Sequence, residues 1–329
     1  MGRTRIVAAL ATAAAITLLA GCAGTPAATT AADKTQAVRM ATMPWIGYGP
    51  WYIAETDGIF ADAGLTVEQT EFEGDAEVNA AFISGNVDVA NVATHTAMLM
   101  QQAGVPIKIV LIEDVSTTAD AIIAPAGIES IADLAGKKVA YEQGTTSDLL
   151  LNYALEDAGM TLDDIVAVPM NAADAGVALI GGKVDAAVTY EPYIQTALAE
   201  DADLGVLFSA DELPGLISDV LVVSDDFIAE HPDTIQALVS SWGLALDSYN
   251  ADQTAGRAII ADAVGEDAEA LASAFDGVIF YDGAQNAEEL GGSFLSDAMP
   301  LVLKAAQAAG IVSGDVDLSA LVDPQFVAN

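Results

Sequence analysis

The sequence predicts an α/β protein built as two lobes, with a mostly helical C-terminal part. Three observations predict this. Short apolar runs alternate with helical patterns along most of the chain, the signature of mixed α/β architecture. One ten-residue pattern occurs twice: Ala-Phe-Ile-Ser-Gly-Asn-Val-Asp-Val-Ala over residues 81–90, and Ala-Leu-Ile-Gly-Gly-Lys-Val-Asp-Ala-Ala over residues 178–187. Each copy reads as the end of an amphipathic helix, a Gly stop, an Asp turn and a buried strand. Finally, the 329-residue chain leaves roughly 290 residues after its N-terminal leader, the size of two lobes. Two lobes imply a cleft, and a cleft is where a small ligand sits.

The leader covers residues 1–21. Arg3 and Arg5 form a positive start, and Ile6–Ala20 is an apolar run too short for a membrane span. It ends in Leu19-Ala20-Gly21-Cys22, which resembles the lipobox of bacterial lipoproteins, so Cys22 is the expected lipidation site. Cys22 is the chain's single cysteine, which excludes an internal disulfide. Residues 22–37 lack apolar periodicity and read as a flexible tether. The formal net charge is −38. Such a field repels nucleic acid, so none is expected as a partner.

The elements follow in order. Val38–Thr42 is a first buried strand, and Met43–Gly49 a loop rich in aromatics and glycine. Pro50 suits a first helical position, where its missing N–H costs nothing. Leu65–Phe72 alternates like an edge strand. Asp75 starts the helix that enters the first repeat copy. Asn91–Ala93 ends a strand, and Thr94-His95-Thr96 opens a helix. Ile107–Ile112 and Ala119–Ala124 are apolar strands. The pattern then restarts with a short helix, a strand at Lys138–Tyr141, and Gly144-Thr145-Thr146-Ser147 leading into a helix. Asp164–Pro169 is a strand, and Asn171 caps the helix of the second copy. Val220–Val223 is the last strong strand. This order places lobe 1 at residues 38–123 and 219–329 and lobe 2 at residues 124–218. The crossings near Ala119–Ala124 and Ser218–Val223 would form a two-segment hinge.

Ligands of open α/β sheets bind beyond the carboxyl ends of strands. That rule selects four loops: Trp45–Trp51, Thr94–Thr96, Gly144–Ser147 and Thr189–Tyr193. The candidate ligand residues are Trp45, Tyr48, Gly49, Trp51, Thr94, His95, Thr96, Gly144, Thr145, Thr146, Ser147, Tyr190, Glu191 and Tyr193. Gly144–Ser147 offers free N–H groups and hydroxyls to an accepting group, or else is an ordinary N-cap. Trp45 and Tyr48 suit the walls of a pocket, whereas Trp51 and Tyr193 could pack inward as core. Glu191 could meet a ligand amine, or simply favour a helix start. His95 alone reads more as a hydrogen-bonded structural histidine than as a contact.

No Gly-x-Ser-x-Gly elbow and no phosphate loop occurs, and Gly47-Tyr48-Gly49 lacks the third glycine of a dinucleotide fingerprint. Two histidines, His95 and His231, with one cysteine make a His/Cys zinc site improbable. No cofactor or metal is expected.

The lipobox, Gly47-Tyr48-Gly49-Pro50-Trp51, the paired Gly-x-Val-Asp-x-Ala copies and Thr189-Tyr190-Glu191-Pro192-Tyr193 together resemble one family. It is the nitrate/sulfonate/taurine group of ABC-transporter solute-binding proteins, also called NMT1-like. The resemblance covers roughly Val38–Asp233. It implies a two-lobed periplasmic-binding-protein fold of type II-like form. It also implies a non-enzymatic, monomeric protein, lipid-anchored outside the cell membrane, that delivers a small solute to a permease and its ATPase subunit. No Lys or Arg lies in the four loops, which disfavours a simple anion such as nitrate. A taurine-like sulfonate with an amine for Glu191 is the expected solute, and a thiamine-pyrimidine-like heterocycle the alternative. A eukaryotic branch of the superfamily makes that pyrimidine and carries a cysteine-rich motif, which a chain with one cysteine lacks.

Overall fold

The computed structural model describes residues 36–327. The expected leader, Cys22 and nearly all of the tether lie outside the described residues. Gln36 and Ala37, expected in the tether, already belong to the first strand.

Eleven strands are described: β1 (Gln36–Thr42), β2 (Leu65–Glu71), β3 (Val89–Ala93), β4 (Ile107–Ser116), β5 (Asp120–Pro125), β6 (Lys138–Tyr141), β7 (Val166–Pro169), β8 (Ala186–Tyr190), β9 (Leu204–Ser209), β10 (Ser218–Ser224) and β11 (Val278–Phe280). They form two sheets, ordered β11-β4-β10-β3-β1-β2 and β7-β6-β8-β5-β9. In the first sheet β2, β1 and β3 are parallel and β10 runs antiparallel beside β3. In the second, β7, β6 and β8 are parallel and β5 runs antiparallel beside β8. The two sheets therefore share one strand order, with β11 added at an edge of the first.

The central antiparallel strand of each sheet, β10 in the first and β5 in the second, is the strand at which the chain arrives from the other sheet. The links are residues 117–119 and 210–217. The stretches expected as crossings, Ala119–Ala124 and Ser218–Val223, lie almost wholly within strands β5 and β10, and the links flank them. All five residues of β3 and the first four of β8 are buried, as suits parallel strands covered on both faces.

The duplicated pattern builds equivalent units. Helix Asp75–Ile83 leads to β3 and helix Ala172–Ile180 to β8. Gly85 and Gly182 follow them at φ 72° and 65°, the left-handed region that glycine enters without steric cost. Each copy's aspartate then stitches two strands. Asp88 N–H donates to the Arg39 carbonyl at 2.8 Å, and Asp88 Oδ2 accepts from Arg39 N–H at 2.9 Å. Asp185 N–H donates to the Lys138 carbonyl at 2.8 Å, and its Oδ2 accepts from Lys138 N–H at 2.8 Å. Arg39 lies in β1 and Lys138 in β6, so these turn residues also fix strand register.

The C-terminal part is mostly helical and returns to the first sheet. Buried Asn286 donates to the Ile112 carbonyl at 2.9 Å and accepts from Ile112 N–H at 2.7 Å. Trp242, on helix Pro232–Ala251, packs against Trp51 with ring centres 4.8 Å apart. Strands β9 and β11 were not expected. Strand β9 is half-exposed along most of its length, and β11 has only three residues. No helix among the described residues is long and apolar enough to cross a membrane.

Candidate functional site

A cavity of about 350 Å³, open mouth included, lies where the two sheets meet. It is lined by Met43, Trp45, Tyr48, Asp75, Ala93, Asp120, Thr146, Tyr190, Ile217 and Asp219. Residues from both sheets contribute. Trp45, after β1, meets Tyr190, at the end of β8, edge to face with ring centres 5.8 Å apart.

The cavity takes Trp45 and Tyr48 from the first expected loop, Thr146 from the third and Tyr190 from the fourth. From the second it reaches only Ala93, next to Thr94. The other candidates surround it with structural roles. Thr94 Oγ1 donates to the Ser218 carbonyl at 3.0 Å. His95 and Thr96 are buried beside it. Burial holds the His95 imidazole at about 4, so it is neutral at pH 7. Gly144 has φ 85°, and its N–H donates to Asp148 Oδ2 at 2.9 Å. Thr145 Oγ1 caps helix Thr146–Asp157 by accepting from Ser147 N–H at 3.3 Å, and Ser147 Oγ donates to the Val188 carbonyl at 3.3 Å.

Trp51 is wholly buried, and its indole N–H donates to Glu113 Oε1 at 2.7 Å. Gly49 lets the first helical turn approach Ile260, since a Cβ there would collide with Ile260 Cδ1. Both Glu191 oxygens accept from Gln195, from its backbone N–H at 3.1 Å and its side-chain amide at 3.2 Å. Glu191 thus holds the start of helix Tyr193–Glu200 and does not line the cavity. Tyr193 is half-buried, with its ring centre 5.3 Å from that of Tyr190.

The residues that sequence reasoning missed are acidic. Asp75, Asp120 and Asp219 line the cavity and are 9 %, 5 % and 6 % exposed. Asp120 opens β5 opposite Tyr190, and Asp219 stands near the start of β10 opposite Ala93 on one side and Asp114 on the other. A second rank lies behind them: Asp114, whose Oδ2 accepts from Trp45 Nε1–H at 3.2 Å, and Glu113 on Trp51. Asp114 Oδ1 and Glu113 Oε2 are buried without a hydrogen-bond partner.

Burial disfavours the charged form of every one of these groups, and neighbouring carboxylates add repulsion. Asp75 is pushed up to about 7 by burial, then by Glu142 and Asp120. Burial pushes Asp120 up to about 7 although the Ser116 hydroxyl eases it. Asp219 and Asp114 stand well above the ordinary carboxylate range, through burial first, then for Asp219 the charges of Asp114, Asp120 and Asp75, and for Asp114 those of Glu113 and Asp120. The lining contains no Lys, Arg or His. The ion pairs among the described residues, Arg39–Asp88, His231–Glu230 and Arg257–Asp276, all lie elsewhere.

Residues 45–252 match the model of the family described as NMT1/THI5 like. A putative binding protein of Brucella abortus is 28% identical over 194 residues, 57% of this chain and 59% of that one. The chain thus spans less than two thirds of the length of the curated relatives it first matches. The taurine-binding periplasmic protein of Escherichia coli is 27% identical over 216 residues, 64% of this chain and 66% of its own. One relative is an enzyme, the 4-amino-5-hydroxymethyl-2-methylpyrimidine phosphate synthase of Aspergillus parasiticus, 27% identical over 224 residues, 63% of this chain and 64% of that one. Among solved structures, the periplasmic aliphatic sulphonate binding protein of Escherichia coli aligns with a TM-score of 0.68 at 21% identity, over 87% of this chain and 97% of that one. That likeness shows the periplasmic-binding-protein fold.

Proposed function

The chain belongs to the NMT1/THI5-like family, and on that premise we propose that it is the extracytoplasmic solute-binding component of an ABC importer. It captures a small polar organic solute and passes it to a permease served by an ATPase subunit. One observation carries the reading. The cavity is walled by residues of both sheets, with Trp45 of one against Tyr190 of the other. A solute held there touches both, so it binds most tightly when they close on it, and that differential affinity drives closure.

In this reading residues 38–123 and 219–329 form one lobe and residues 124–218 the other. The two links between the sheets serve as the hinge. The protein acts as a monomer, and Cys22 anchors it by lipid to the outer face of the membrane. It is a carrier and not an enzyme. Both expected solutes, a taurine-like aminosulfonate and an aminopyrimidine, carry amino nitrogens for which the cavity aspartates are acceptors.

Calorimetry with a panel of sulfonates, amines and pyrimidines tests the function. A cognate solute binds saturably and raises the melting temperature, because it binds only the folded form. Trp45→Ala weakens it by about 1–3 kcal/mol. Small-angle scattering that shows no compaction with a solute that binds would refute the trap.

A further inference from the structure

We propose that the solute of this cavity is a small organic cation rich in N–H donors, an ammonium, amidinium or guanidinium compound, and not a sulfonate. This rests on the cavity being the solute site. Three observations lead to it.

The first is the lining itself. Asp75, Asp120 and Asp219 approach the cavity from three separate elements: the start of helix Asp75–Ile83, the start of β5 and the start of β10. Each is more than nine-tenths buried. Within the protein they find almost nothing to pair with. Asp75 is eased only by its own backbone N–H, Asp120 only by the nearby Ser116 hydroxyl, and Asp219 only by the nearby Trp45 indole, whose N–H donates to Asp114. Buried carboxylates without cations are costly, and three facing one space repel each other. A ligand that brings positive charge and N–H groups removes both penalties.

The second is the walls. Trp45, Tyr48 and Tyr190 supply aromatic rings, the type of side chain whose quadrupole attracts cations. Burial keeps both tyrosines in their neutral phenol form. They add no charge, and their hydroxyls remain available as donors or acceptors.

The third is the spacing. Among the described residues no group of three or more His, Cys, Asp or Glu is gathered as a metal site requires. The aspartates surround a volume and do not converge on a point. That suits an organic cation carrying several N–H donors better than a metal ion. Donors matter as well as charge, because unpaired carboxylate oxygens seek hydrogen bonds. A quaternary ammonium cannot supply them.

The opposite arrangement can be told apart. If these carboxyls stayed protonated they could donate to an anion, and binding would tighten as pH falls. A cation needs them ionised, so its binding tightens as pH rises and releases protons. The charged and titratable groups facing the three aspartates are Asp114, Glu113, Glu142 and Glu191, all acidic, and the neutral phenols of Tyr48 and Tyr190, so no base reverses this sign.

The experiment is calorimetry on the purified full-length protein at pH 5.5, 7 and 8.5. The probes are agmatine, putrescine, choline, taurine, methanesulfonate, calcium ion and 4-amino-5-hydroxymethyl-2-methylpyrimidine. Agmatine or putrescine is expected to bind, at least ten-fold more tightly at pH 8.5 than at 5.5, and more tightly than choline. Asp219→Asn is expected to lose ten-fold or more in affinity for that probe while the unliganded protein melts higher, which separates loss of the site from loss of the fold. Asp120→Asn provides the same comparison from the other sheet. Failure of both agmatine and putrescine to bind overturns the proposal, as does binding that tightens towards acid pH. If taurine, methanesulfonate or the pyrimidine binds instead, the solute-binding function stands and only the cation is wrong. If no probe binds, both fall.

Discussion

Replacing Asp120 by Asn should stabilise the empty protein at alkaline pH, although it removes a charged residue from the site. The Asp120 carboxyl rises from 3.8 to about 7 in the folded chain, chiefly through burial. Between about pH 4 and 7 the folded state therefore holds a proton that the unfolded chain has released. Stability falls as pH rises through that window and levels off above it. At ~1.4 kcal/mol for each pH unit, the gap is worth about 4 kcal/mol. Asparagine keeps the shape and never ionises. At pH 8 the variant should exceed the parent by up to about 4 kcal/mol. With ~2.1 cal/mol/K of unfolding entropy per residue over this length, that is about 6 °C. At pH 4 the two should agree within about 1 kcal/mol. Urea denaturation at pH 4 and pH 8 measures both ends. A variant no more stable than the parent at pH 8, or one whose advantage persists undiminished at pH 4, would refute the argument that an unpaired buried charge sits there.

Gly47→Ala should damage the site directly, because a Cβ at Gly47 collides with the Trp45 indole and the Asp114 carboxylate. A loss of about 1–3 kcal/mol in stability is expected, with weaker solute binding by calorimetry. Asp88→Ala and Asp185→Ala each remove the acceptor that stitches a strand pair and should cost about 1–3 kcal/mol by chemical denaturation, with the solute site intact. Glu191→Ala should lower the melting temperature but leave affinity within about three-fold, since both carboxylate oxygens serve Gln195 and not the cavity.

Much of the architecture was legible because burial on both faces leaves short apolar runs, which their length and flanking turn residues mark as strands. β3, β5 and β8 are of this kind. The repeat was legible for the same reason, and it pointed to loops that do supply Trp45, Tyr48, Thr146 and Tyr190. The aspartates were not legible, and topology explains why. Sites gather beyond the carboxyl ends of parallel strands, but β5 and β10 run antiparallel, so it is their starts that reach the same edge. Asp120 and Asp219 occupy those starts. Nothing in the local sequence reveals strand direction. Glu113 and Asp114 hid differently. Adjacent charges read as the end of the strand Ile107–Ile112, whereas β4 continues through them to Ser116 with both buried. Strands β9 and β11 carry too few buried positions to stand out from loop.

The position of Trp45 has an optical consequence. The chain contains three tryptophans. Trp51 and Trp242 lie against each other, wholly buried, away from the cavity lining. Trp45 alone lines the cavity, its N–H on Asp114 and its ring against Tyr190. Whatever enters the cavity changes the surroundings of one indole directly, against the background of two tryptophans that do not line it. The protein thus carries its own fluorophore at the place where its sheets meet, and emission from that single residue can follow occupancy in real time without any attached dye.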